Sequence, residues 1–176
     1  MKITNPFLML KNRFKKSIKT AKPDLPLKNR ESTLRIDQSL DSDYELVKIQ
    51  QVGFADPFAM QGVLVLKTDD GKDFPVSAFS GEVARYISNF VNAKLDSLPT
   101  IYNMIEQVCE ECELLLVKVK LYQSGSALRA NLYFTGKKDL VLRNFRASDA
   151  IALATFYSAP ILMRKDLLKE KAMVEQ

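Results

Sequence analysis

Arg146, Ser148 and Asp149 stand within four residues of one another, where a strand-like run, Leu140–Phe145, gives way to the small apolar run Ala150–Ala154. A guanidinium there neutralises charge on a phosphate oxygen. Helix amides beside a serine offer an anion pocket. A carboxylate serves as a base or as a ligand for a hard cation. Glu82, in the first turn of a helix expected to start at Ser80, supplies a second carboxylate. Asp149, Glu82, Arg146 and Ser148 are therefore the candidate catalytic group, and Asp149 and Glu82 the candidate ligands for Mg2+ or Mn2+. Nothing in the pattern calls for an organic cofactor. The same residues also have a plain structural account. Ser148 caps a helix, Asp149 suits the positive end of its dipole, and Arg146 pairs with Asp149.

What is missing narrows the chemistry. The 176 residues contain no histidine, which excludes Ser-His-Asp and Cys-His catalysis and His-ligated metal. Hydrolysis must then rest on carboxylates, a metal held by oxygens, or Lys and Tyr. The two cysteines, in Cys109-Glu-Glu-Cys112, cannot complete a zinc site in one chain. Their acidic surroundings disfavour a reactive thiolate, so one cysteine packed inward at a helix end is expected. So few cysteines suit a reducing cytosol, and a cytoplasmic location is the expectation. No apolar run approaches the ~18 residues of a membrane span, and no secretory signal is legible.

Net charge is +5, unevenly placed. Residues 1–30 hold nine Lys or Arg and one acid, giving +8, whereas the remainder holds 17 bases and 20 acids, giving −3. After Asn5-Pro6, a helix start, Phe7, Leu10, Phe14 and Ile18 form one apolar stripe, with Lys11, Arg13, Lys15, Lys16 and Lys19 on other faces. This basic amphipathic helix either docks on protein with its lysines solvated or binds nucleic-acid phosphates. Contact with an anionic membrane surface and a targeting role are further readings. Residues 21–43, with two prolines and four Ser or Thr, read as a linker.

A domain of residues 44–176 follows. Strands are expected over 44–52, 62–67 and 73–77, the last two joined at Asp69-Asp70-Gly71-Lys72, a hairpin signal. One helix puts Val83, Ile87, Phe90 and Val91 on a face. A second, about 98–111, buries Ile101, Met104, Ile105 and Val108. Strands over 114–121, 127–134 and 140–145 form an antiparallel meander. Its polar face carries Lys118, Lys120 and Arg129 among Tyr122 and Tyr133. That face is either solvated or a surface for single-stranded nucleic acid. The Ala150 helix, a short strand over 161–163 and a last helix capped by Asp166 complete the chain. Three strands then a helix occur twice, hinting at internal duplication.

These motifs carry a resemblance. Arg146-Ala-Ser-Asp-Ala-Ile-Ala-Leu153 resembles the Arg-Pro-Ser-Asp-Ala-Ile-Ala-Leu signature of the bifunctional nuclease domain family. Phe74-Pro75-Val76 with Glu82, Leu98-Pro99-Thr100, Ala159-Pro160-Ile161 and Leu167-Leu168 are similar to further family segments in the same order, from about Tyr44 to Leu168. Ala147 replaces the family's proline, Asn144 stands where an acidic residue is common, and Thr100-Ile101-Tyr102 replaces Thr-His-Asp. The resemblance implies an α+β domain, a mostly antiparallel sheet packed with helices, carrying the basic N-terminal arm. It implies a nuclease cleaving RNA or DNA with little sequence preference, and homo-oligomers. Self-association is expected through the sheet or the apolar residues of Ile151–Met163. The alternative is a non-catalytic nucleic-acid-associated or regulatory module that binds through its arm.

Overall fold

The computed structural model describes residues 41–94 and 98–170. The segment with Lys11, Arg13, Lys15, Lys16 and Lys19, and the linker as far as residue 40, lie outside the described residues. Alternating and β-branched runs become strands β1 (Tyr44–Phe54), β2 (Gln61–Thr68) and β3 (Asp73–Ser80). Helices α1 (Gly81–Val91) and α2 (Ile101–Glu111) follow, then β4 (Leu115–Ser124), β5 (Ala127–Thr135), β6 (Leu140–Arg146), α3 (Ala147–Tyr157), β7 (Ile161–Arg164) and α4 (Lys165–Glu170). The fold is α+β, with seven strands in the order β3-β2-β1-β7-β4-β5-β6. Every pairing is antiparallel except β4 with β7. The short central β7 buries Ile161, Leu162 and Met163 in succession, the continuous apolar pattern of a strand covered on both faces.

Two units of three strands and a helix flank β7, one of β1–β3 with α1 and one of β4–β6 with α3. The likeness extends to backbone detail. Both helices have 11 residues and start from extended caps, Ser80 at φ −62°, ψ 135° and Arg146 at φ −64°, ψ 134°. Two residues before each cap stands a left-handed residue, Ala78 at φ 60° and Asn144 at φ 65°. At Asn144 the turned-out amide is satisfied by the Asn131 Oδ1, 3.1 Å away. This repeated kink lifts each chain off the sheet edge and lays the following helix back over it. The duplication hinted at in the element order is thus present in the backbone.

Close packing follows from small side chains. Ala147, Ala150, Ala152 and Ala154 of α3 are all buried, with Ile151 and Leu153 between them, and α3 packs against α1, β4 and β5. The apolar side chains of Ile151–Leu153 and Ile161–Met163 are thereby used within the chain's own core. That corrects the expectation of a surplus there for self-association. A second correction concerns α2, where Ile101, Met104 and Val108 are 53%, 55% and 55% exposed. The residues turned inward are Tyr102 and Cys109, with Ile105 half-buried against the core. In α1 Ile87 is buried as expected, whereas Val91, near the last turn, is 52% exposed. Asp166 lies inside the first turn of α4, paired with Arg164 at 2.7 Å, instead of capping it.

Candidate active site

Ser148 does not cap α3. The helix starts at Ala147 with Arg146 as its cap residue, and Ser148 is buried at the second helical position, only 6% exposed. The helix begins two residues earlier than a cap at Ser148 would set it, which leaves the serine inside the helix and buried. Asp149 does occupy the first turn. Arg146 donates to it twice, Nε to Oδ2 at 2.8 Å and a terminal amine to Oδ1 at 3.1 Å. The pairing holds the guanidinium above its ordinary pKa, chiefly through its hydrogen bond to Asp149. The arginine side chain remains 67% exposed and the aspartate 38%.

Glu82 is the second residue of α1, so it aligns with Ser148 of α3 and not with Asp149. Its amide donates to the Ser80 hydroxyl at 3.2 Å, the cap expected of serine. One turn on, the Tyr86 hydroxyl donates to Glu82 Oε1 at 3.4 Å. Tyr102 packs against the middle and last turn of α1 and the last turn of α3. It projects inward from α2, 6% exposed, with its ring 5.3 Å from Tyr86 and 5.0 Å from Phe90, both edge to face. Phe156 of α3 closes the cluster, 5.2 Å from Phe90. Burial pushes the Tyr102 phenol up to about 12. The negative charge of Asp149, then Tyr86 and Glu82, adds to this, and Arg146 opposes it. The phenol therefore stays a neutral hydrogen-bond donor in the field of all three charged candidates.

The charges of Asp149, Glu82 and Arg146 thus all act on the phenol of Tyr102, a residue that the sequence pattern did not single out. The available signal was its position in Thr100-Ile101-Tyr102. The Thr100 amide donates to Asn103 Oδ1 at 2.9 Å, closing the start of α2 beside Tyr102. Among the described residues no three His, Cys, Asp or Glu gather as a metal cage. Glu82 and Asp149, the two carboxylates expected to hold a cation, stand in the first turns of α1 and α3.

The basic sheet face is arranged differently from expectation. Lys118 and Lys120 both pair with the buried carboxylate of Asp41, Lys118 at 2.5 Å. Their side chains are only 16% and 10% exposed. Lys120 also lies over the Tyr44 ring at 4.6 Å and Lys118 over Tyr133 at 5.6 Å. An ammonium held by a carboxylate and packed on rings is not free for phosphate, so these two lysines are corrected from binding surface to structural cluster. Arg129 stands apart from them, directly opposite Arg146 on the β5–β6 ladder.

A cavity of about 510 Å3 opens elsewhere, between β1 and the C-terminal ends of α1 and α3, lined by Val47, Phe90, Val91, Ala154 and Pro160. None of the candidate side chains reaches it. Among the described residues no helix is long and apolar enough to cross a membrane. No curated protein matches the chain. The model of the bifunctional nuclease domain matches residues 64–176, a span containing Glu82, Tyr102, Arg129, Arg146 and Asp149. With that match over most of its length, the chain belongs to the bifunctional nuclease domain family.

Proposed function

We propose that the protein hydrolyses phosphodiester bonds of RNA or DNA with little sequence preference, at the junction of α1, α2 and α3. The observation that carries this reading is the two-point Arg146–Asp149 pair at the start of α3, whose charges, with that of Glu82, act on the Tyr102 phenol. Arg146 binds a non-bridging phosphate oxygen through the donors that Asp149 leaves unused. As the guanidinium turns toward phosphate, the Asp149 carboxylate is released to accept the proton of an attacking water. Tyr102, neutral throughout the physiological range, donates a hydrogen bond toward the charge so formed. Glu82, oriented by Tyr86, joins Asp149 in holding a Mg2+ or Mn2+ ion, which when bound supplies Lewis-acid polarisation of the phosphate. Sequence indifference follows from recognition of phosphates and not base edges.

One observation favours a second reading. Arg146 and Asp149 already satisfy one another, as a structural pair in a non-catalytic nucleic-acid-binding module does. The test is cleavage of labelled single-stranded RNA and DNA with Mg2+, Mn2+ or chelator, by wild type and by Glu82→Gln. Metal-dependent cleavage that falls about a hundredfold in Glu82→Gln supports the nuclease. Binding without cleavage under every condition selects the module.

A further inference from the structure

The β5–β6 register sets Arg129 directly opposite Arg146. Opposed residues of an antiparallel ladder project from the same face with Cβ atoms roughly 5 Å apart, and like charges there are destabilising. Arg146 is relieved by Asp149. Arg129 is half-buried and has no carboxylate partner among the described residues, so of the two opposed guanidiniums only Arg146 is neutralised. A strand pair under no other demand would place a neutral or acidic residue at 129. The neighbouring row makes the contrast, because there Lys118 and Lys120 are both neutralised by Asp41.

We infer that Arg129 and Arg146 form a two-guanidinium clamp for a phosphodiester of the nucleic-acid strand, with Arg129 as a binding residue outside the catalytic carboxylates. This rests on the nucleic-acid reading proposed above. The chemistry required is a dense anion presenting several oxygens, which guanidinium pairs grip in bidentate fashion. Arg129 would hold the strand while Arg146 divides its donors between phosphate and Asp149. A residue kept for binding against the interest of the fold has a distinctive signature. Its removal weakens binding and leaves stability unchanged or improved.

The experiment compares wild type, Arg129→Gln and Arg129→Lys for affinity toward a labelled single-stranded oligonucleotide over a salt series, alongside Tm. Inorganic phosphate serves as competitor. Arg129→Gln is expected to bind about tenfold more weakly, with the slope of log affinity against log salt reduced by about 1. Its Tm should be equal to wild type or higher. Arg129→Lys keeps the charge but not the bidentate fork, so it should keep the salt slope and recover only part of the affinity. Competition by inorganic phosphate only at concentrations far above the oligonucleotide supports a clamp for the polymer, whereas equal competition per phosphate overturns the strand as its ligand. Wild-type affinity and slope in Arg129→Gln overturn the clamp while the nucleic-acid reading stands. A fall in Tm with unchanged binding makes Arg129 structural and likewise overturns it. Absence of oligonucleotide binding by wild type removes the nucleic-acid reading and the clamp with it.

Discussion

Arg146 and Asp149 close a two-point ion pair across the first turn of α3, 2.8 Å at one contact and 3.1 Å at the other, on a face open to solvent. An exposed pair of this kind contributes little to stability, typically about 0.5 kcal/mol. Its geometry is therefore better suited to exchange with a ligand than to holding the helix in place.

Asp149→Asn follows directly. Arg146 occupies the cap position, so the variant loses only the exposed pair, and its Tm should stay within a few degrees of wild type. If Asp149 is base and metal ligand, cleavage falls by about a hundredfold or more. Melting and cleavage measured on the same preparation decide it, and a folded variant with full activity removes Asp149 from the chemistry.

Asp41 gives the opposite expectation. Its carboxylate is buried and bridges two lysines of β4, the nearer of them, Lys118, 77 residues away in the chain. Burial acts to raise its pKa, and hydrogen bonds from Lys118 and Lys120 outweigh burial and hold it below the usual 3.8. A folded-state value below the unfolded one contributes stability that is present above the unfolded value and lost as pH falls through the folded value. Acid unfolding below pH 3.8 should carry this contribution in wild type and lack it in Asp41→Asn. At neutral pH the variant leaves two ammoniums without their counter-charge, at a cost of about 3–5 kcal/mol. Chemical denaturation at neutral pH and at pH below 3.8 reads both effects.

The exposed stripe of Ile101, Met104 and Val108 on α2, with Leu98 just before it, makes a second copy of the chain the proposed occupant of that face. Antiparallel packing of two such helices sets the acidic last turn, Glu110 and Glu111, beside a first turn that carries no acid. Met104→Glu should shift light-scattering mass toward the monomer without lowering Tm, since the side chain is already exposed. A strict monomer for wild type across a concentration series rules the contact out.

Residues 1–30 carry +8 while the rest of the chain carries −3, so the arm should supply most of the non-specific affinity for polyanions. Deleting 1–30 is expected to weaken nucleic-acid binding and flatten its dependence on salt, because fewer counterions are released. Since Lys118 and Lys120 are held by Asp41, binding that survives the deletion unchanged would point to Arg129 and Arg146.

The sequence by itself determined the elements and their order. Strand alternation, the Asp70-Gly71 turn and the alanine run from Ala150 are local signals, read correctly because backbone sterics and side-chain period act over a few residues. The juxtaposition of Arg146 with Asp149 belongs here too, since three positions along a helix start are neighbours in any fold. Tertiary structure decided the rest. Helix α2 has apolar residues on two faces, and period alone says which residues share a face, not which face meets the core. Aromatic partners from α1 and α3 chose Tyr102, and so made it part of the candidate site. The cap passed from Ser148 to Arg146 because a left-handed residue at Asn144 reset the path of the chain. Lys118 and Lys120 have the types and spacing of a binding surface. Only the return of residue 41 against β4 turned them into a buried cluster, a contact between distant positions that no local pattern encodes.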